Sequence, residues 1–208
     1  MSDRRTRYPG PIAQAGVIAH DLIAQGFAED AALAALLDRY PAELFDINLY
    51  DYDDEGQVSL RTGARGRLDG AQLLEAIQQG RLWVNLRDVE TGWPELWTAA
   101  MAEFKKVEAA YPGLKAVKNA GQLILSSPKA RVPYHFDAAG VVLFHLRGRK
   151  RIFVYPGDEG HLPERNMEQV VARQTTEELP YTLAFEDDAH VVDLEPGQAP
   201  VSYTHLRA

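Results

Sequence analysis

Apolar positions in the first half of the chain alternate between two periods. Residues 28–39 (AEDAALAALLDR) place Leu33, Leu36 and Leu37 at helical spacing behind Glu29 and Asp30, with Pro41 just beyond. That pattern predicts a helix ending before the proline. In residues 44–52, Leu44, Asp46 and Asn48 alternate with Phe45, Ile47 and Leu49, the period-2 signature of a half-buried strand. A second short helix is predicted from Asp69-Gly70 through Ile77, with Leu73, Leu74 and Ile77 on one stripe and Gly80 after its end. Residues 81–87 (RLWVNLR) read as a strand. The longest helical pattern runs over 93–110, with Pro94 suited to a first turn and Pro112-Gly113 closing it.

From Leu114 onward the pattern changes to short extended runs at 115–127, 141–146, 150–155 and 190–194, punctuated by Gly and Pro. Such runs predict a barrel or sandwich with the earlier helices outside it. Residues 162–187 read as a loop-rich insertion with one helical stretch over 167–173. The expected organisation is a helical and mixed extension over 1–113, a β core over 114–199 and a tail over 200–208. The first ten or so residues, with three Arg and Pro9, read as a lead-in.

Composition narrows the function classes. The chain has 208 residues, 46% apolar and 25% charged, enough to bury roughly 70% of its unfolded surface without disulfides or a structural metal. It has no Cys, which excludes thiolate chemistry, zinc ribbons and Fe–S clusters and fits a reducing compartment. A net charge of -8 and a pI near 5.3 argue against a nucleic-acid or anionic-membrane coat. With no run near the roughly 20 apolar residues of a membrane span and no leader-like start, the expected location is the cytoplasm.

Candidate chemistry concentrates in residues 126–156 (SSPKARVPYHFDAAGVVLFHLRGRKRIFVYP). His135 and Asp137 form an H-x-D pair, and on an extended backbone positions i and i+2 share a face roughly 6.6 Å apart. An imidazole nitrogen and a carboxylate oxygen can therefore converge on one ion. A second His from a distant strand would complete a facial triad suited to Fe(II). Taken alone, the tripeptide also fits a chance pair on a loop, and RGRKR fits a solvated hairpin turn. Lys150 and Arg151 alternate at the start of a strand, so one of them faces inward. His145 shares the parity of 141 and 143; it reads as a pocket-side polar group or a hydrogen-bonded interior His, not as a metal ligand. Trp83, Trp93 and Trp97 read as core.

The whole run, H-x-D followed by an apolar strand, the turn Arg147-Gly148-Arg149, a strand opening with Lys150 and an aromatic-Pro ending, resembles the cupin-like and JmjC branch of the Fe(II)/2-oxoglutarate oxygenases. The resemblance covers residues 123–198 well and the first 110 more loosely, where RLWVNLRDVETG is similar to the N-terminal extension of bacterial cupin-like proteins labelled jumonji-type transcription factors. It implies an α+β chain with a mainly β core, a double-stranded β-helix (cupin or jelly-roll) with N-terminal helices. It implies Fe(II) held by His135 and Asp137, and 2-oxoglutarate as cosubstrate with its distal carboxylate on Lys150, fifteen residues after His135. A diacid also supplies a physical reason for an ammonium at that place.

In the resembling proteins the second metal His follows the Pro of a Pro-Gly-Gln turn by about twelve residues. From Pro196 that count reaches 208, which is Ala; His205 lies three positions early and is not assigned. The ending VSYTHLRA matches a translated sequencing adapter, so the natural sequence is expected to stop near Ala199, leaving a C-terminally truncated copy with an incomplete barrel and no activity. The expected function of the full-length protein is 2-oxoglutarate-dependent hydroxylation of an unidentified small-molecule or protein substrate, with a homodimer as the assembly this branch suggests. A non-catalytic cupin-like binding or regulatory module remains the alternative. A metal-dependent cupin of another reaction type is disfavoured by Lys150, and DNA binding by the charge.

Overall fold

The computed structural model describes residues 16–52, 58–110, 118–202 and 206–207. In chain order its elements are β1 (Gly16–Ala19), α1 (Asp30–Arg39), β2 (Phe45–Tyr52), β3 (Val58–Thr62), α2 (Gly70–Gln79), β4 (Leu82–Leu86), α3 (Val89–Gly92), α4 (Pro94–Ala110) and β5 (Leu123–Ser126). There follow β6 (Val141–Val142), β7 (Lys150–Val154), α5 (Glu164–Val171), β8 (His190–Leu194), β9 (Gln198–Ser202) and β10 (Leu206–Arg207). Single 3-10 turns lie at Leu22–Gln25, Ala42–Leu44 and Leu183–Asp188. The chain divides into two compact units: residues 20–131, and the described residues from 132 onward together with β1. Among the described residues no helix is long and apolar enough to cross a membrane.

In the first unit an antiparallel sheet of order β3-β2-β4-β5 carries α1, α2 and α4. Strict alternation puts Leu82, Val84 and Leu86 of β4 on one buried face, and Ile47 pairs with Val84 in register. These side chains join Leu33, Leu36 and Leu37 of α1 and Leu73, Leu74 and Ile77 of α2 in one core. Trp93 closes that core edge-on to Phe27 at 5.2 Å, with Trp97 packed beside it. At the start of α2 the Asp69 carboxylate accepts the Gln72 N–H at 2.8 Å while the Gln72 side chain accepts the Asp69 N–H at 3.0 Å. This reciprocal cap satisfies two backbone donors that helix geometry leaves orphaned. Asp69→Ala is therefore expected to cost ~1 kcal/mol of stability in denaturant titration, whereas Asp69→Ser should cost much less.

In the second unit, two three-stranded antiparallel sheets have the orders β1-β9-β6 and β10-β7-β8. Among the described residues the strands do not close into a barrel, so the fold is a mixture of helices and antiparallel sheets. The expected strand over 141–146 is regular only at Val141–Val142. Beyond it the chain still bonds to β9: the Leu143 N–H reaches the Pro200 carbonyl at 3.3 Å and the His145 N–H the Gln198 carbonyl at 3.0 Å. Pro200 has no N–H to return the bond, and the ladder is interrupted there. Helix α5 begins three residues earlier than its apolar spacing predicts, right after Pro163, and stops before Arg173, whose φ of 56° lies in the left-handed region. Small apolar clusters support this unit: Ile152 and Leu194 with Leu143 and Val192, and Phe136, Leu162 and Val170 with Met167 and Leu179.

Candidate metal centre and diacid site

His135 and Asp137 lie on a short extended stretch that pairs with the insertion. The Phe136 N–H donates to the Glu177 carbonyl and the Leu179 N–H to the Tyr134 carbonyl, each at 2.9 Å, making an antiparallel bridge between His135 and Glu178. The i and i+2 side chains therefore converge: His135 Nε2 stands 3.8 Å from Asp137 Oδ1, and both side chains are about four-fifths buried, at 20% and 21% exposure. His135 Nδ1 is 2.8 Å from the Pro133 carbonyl, which can only accept, so Nδ1 carries the proton. In the neutral imidazole this leaves the Nε2 lone pair on the side of Asp137, the arrangement a metal-ligating histidine needs. Burial pushes the Asp137 carboxyl up and the nearby Glu177 carboxylate adds to this, while His135 pulls the other way. A divalent cation relieves that cost by replacing the proton.

This donor set, one neutral imidazole and one carboxylate, fits a divalent metal. Among the described residues no third His, Asp or Glu joins the pair. His205 lies outside the described residues.

Lys150 opens β7 on the same face as Ile152, which is 1% exposed. Burial lowers its ammonium below the ordinary lysine range, and among the described residues no carboxylate pairs with it. Arg151, one position on, points to the other face and makes a two-pronged ion pair with Asp193 at 2.6 and 2.9 Å. Arg149 pairs with Glu195 at 3.2 Å on the surface. His145 is interior: its Nε2 is 3.0 Å from the Gly148 carbonyl, and burial, with a smaller contribution from the Lys150 charge, pulls its pKa down. An open groove of about 560 Å³ lined by Gln25, Thr98, Ala102 and Glu103 belongs to the other unit and touches none of these groups.

Two features of the site have no periodic signal in the sequence. The carboxylate of Glu177 comes near Asp137 only because a loop-like segment pairs across the H-x-D stretch. Beside it, Tyr134, Tyr155, Tyr181, Phe185 and His161 form one aromatic cluster, with Tyr134 edge-on to Tyr155 at 5.1 Å and to Phe185 at 5.8 Å. The aromatic spacing of 181–185 (YTLAF) is its only trace in the sequence.

No family model and no curated protein matches the sequence. Solved structures do match the fold. An X-ray structure of E. coli YcfD aligns with a TM-score of 0.56 and 19% identity over 98% of this chain and 47% of that one. A crystal structure of the Escherichia coli ribosomal oxygenase YcfD aligns at 0.51 and 17%, over 92% and 44%. YcfD in complex with cobalt and 2-oxoglutarate aligns at 0.52 and 16%, over the same shares. This chain spans less than half of those chains. At such identities the likeness establishes the fold, and it agrees with the resemblance to cupin-like and JmjC oxygenases carried by residues 126–156.

Proposed function

We propose that this chain carries the metal and cosubstrate half of an Fe(II)- and 2-oxoglutarate-dependent oxygenase. The observation that carries the reading is the pairing of a preoriented His135–Asp137 donor set with a half-buried Lys150 ammonium fifteen residues later, which meets no carboxylate among the described residues. His135 Nε2 and an Asp137 oxygen hold the metal, and Lys150 holds the distal carboxylate of the diacid. Bound there, iron and 2-oxoglutarate supply oxidative decarboxylation coupled to hydroxylation of a substrate C–H bond. The chain's own contribution is orientation. The Pro133 carbonyl fixes the His135 tautomer, the pairing with 177–179 fixes the strand, and burial raises the worth of each charge contact. The complex of YcfD with cobalt and 2-oxoglutarate supports the choice of cosubstrate.

The test, made on the full-length protein, is Co(II) binding, followed by its visible absorption, together with succinate release from 2-oxoglutarate under Fe(II) and O2. His135→Ala and Asp137→Ala should each abolish both, because a single remaining ligand cannot retain the ion. Retention of Co(II) by both variants would remove the metal assignment. Metal and 2-oxoglutarate binding without succinate release would favour the non-catalytic binding module instead.

Acidification adds a check on Asp137. Its raised carboxyl takes up a proton at a higher pH than an ordinary aspartate, so Co(II) binding should already weaken above the usual carboxylate range near pH 4. In Glu177→Gln the onset should move to lower pH, since one neighbouring negative charge is removed. An onset unchanged by that substitution would sever the electrostatic link.

A further inference from the structure

The turn that leads into Lys150 is Arg147-Gly148-Arg149, exposed at all three positions, with Gly148 at a φ of 77° in the left-handed region. Glycine takes that φ without a side-chain clash, but it also gives the turn more conformational freedom to lose on folding. On the outer side Arg149 Nε pairs with Glu195 at 3.2 Å, both side chains being more than half exposed. An ion pair so exposed holds a turn weakly. Beyond the turn, Lys150 is in register with Leu194 in the ladder of β7 and β8.

The inner side of the same turn is held by His145, which is buried. Its backbone is anchored first. The His145 N–H donates to the Gln198 carbonyl at 3.0 Å, and the His145 carbonyl accepts the Gly197 N–H at 2.9 Å. The tight turn 195–198 that supplies these partners is closed in its own right: the Gln198 N–H donates to the Glu195 carbonyl at 3.2 Å, and the Gln198 side-chain oxygen accepts the Glu195 N–H at 2.8 Å. From this fixed backbone the imidazole reaches forward three residues and sets its Nε2 at 3.0 Å from the Gly148 carbonyl. A carbonyl only accepts, so Nε2 carries the proton. Burial and, less strongly, the Lys150 charge hold the ring below the ordinary imidazole range, against the opposite pull of the Gly148 carbonyl and Glu195. At neutral pH the ring is therefore uncharged and its single proton stays on Nε2.

We propose that His145 is a positioning residue for the diacid: through its hydrogen bond to the Gly148 carbonyl it clasps the turn before β7 and holds the Lys150 ammonium in place for the distal carboxylate. The proposal rests on the reading of Lys150 as the diacid anchor. That ammonium ends a flexible four-carbon stem, and among the described residues no carboxylate fixes it. Where the charge stands thus depends on where the stem begins, and the clasp acts on the backbone two residues before it. His145 works through Gly148 and the start of β7, not by contact with the diacid.

Two measurements on the full-length protein test this. In the ligand-free protein at neutral pH, the imidazole nitrogen NMR signals of His145 should show a neutral ring protonated at Nε2. A ring protonated at Nδ1 would overturn the clasp before any cosubstrate is added. Calorimetric titration of the Co(II)-loaded protein with 2-oxoglutarate should then show about tenfold weaker binding in His145→Leu, the worth of one buried hydrogen bond, while Co(II) affinity without 2-oxoglutarate is unchanged. His145→Gln puts an amide N–H where Nε2–H stands and should recover native affinity to within about threefold. His145→Asn has an amide too short to reach Gly148; it should lose affinity as the leucine variant does, and it carries the test if that variant does not fold. In a Lys150→Met background, adding His145→Leu should change the dissociation constant by less than about twofold, because no ammonium remains to be placed. A merely structural His145 would cost the same factor in both backgrounds. Native affinity in His145→Leu and His145→Asn, no recovery in His145→Gln, or the full loss in the Lys150→Met background overturns the proposal and leaves the Lys150 reading standing. Failure of the native protein to bind 2-oxoglutarate at all removes that reading, and this proposal with it.

Discussion

Lys150→Met should weaken 2-oxoglutarate binding by about 30-fold to several thousand-fold while making the ligand-free chain more stable. The loss corresponds to the ~2–5 kcal/mol of removing one partner of a buried charge pair, here the ammonium opposite the distal carboxylate. The gain has the opposite origin. Without the diacid, Lys150 is a half-buried cation with no carboxylate beside it among the described residues, and burial alone depresses its pKa. The folded chain therefore binds that proton less tightly than the unfolded chain. Stability should rise as pH increases through the lowered folded value toward the ordinary lysine value near 10.4, and Lys150→Met should remove this alkaline rise. An apolar side chain of similar length should stabilise the free protein by ~1 kcal/mol or more. Calorimetric titration with 2-oxoglutarate and urea unfolding measure the two halves separately. Unchanged affinity would end the anchor role of Lys150, and a less stable variant would contradict the unpaired state of its ammonium.

Gly70→Ala is expected to be among the most damaging single-atom additions in the chain. Gly70 begins α2 where that helix crosses α1, and a Cβ there would stand 1.9 Å from the Ala34 carbonyl oxygen and 2.8 Å from its carbon. Both atoms are backbone, so the relief is displacement of one helix from the other. The contact is also pinned chemically. The Gly70 N–H donates to Asp38 Oδ1 at 2.7 Å, and Arg65 Nη2 donates to the same oxygen at 2.8 Å. Moving α2 would break these bonds and open the packing of Leu33 and Leu37 against Leu73 and Ile77. A loss of about 3 kcal/mol, at the upper end for overpacking, should appear as a fall in melting temperature of roughly 10 °C. Gly140 has open space where its Cβ would stand, and Gly140→Ala should change stability by less than about 0.5 kcal/mol. Equal melting temperatures for the two variants would show that the helices are not in close contact at Gly70.

The sequence by itself determined the local conformations and the residue types at the site. Leu33, Leu36 and Leu37 at helical spacing, the stripe of Leu73, Leu74 and Ile77 behind Asp69-Gly70 and the run RLWVNLR each lead to an element found within a few residues of its expected bounds. The H-x-D spacing brings His135 and Asp137 together for the same reason, since an extended backbone puts i and i+2 on one face. Alternation likewise separates Lys150 from Arg151. Periodicity carries this much because it depends only on neighbours along the chain.

Pairing was decided by the tertiary structure. The 177–179 stretch lies across the H-x-D strand through two backbone bonds, which any residue except proline can make, so side-chain pattern does not announce it. Gln198–Ser202 becomes the middle strand between β1, about 180 positions earlier, and β6, about 60 positions earlier. Leu123–Ser126 becomes the edge of the sheet in the first unit, through register with Trp83 to Leu86. The setting of His161 between Asp158 and Asp188, under Tyr155 and Phe185, exists only once a loop and a 3-10 turn meet. Complementarity of that kind is a property of two surfaces at close range, and one strand or loop read alone contains only half of it.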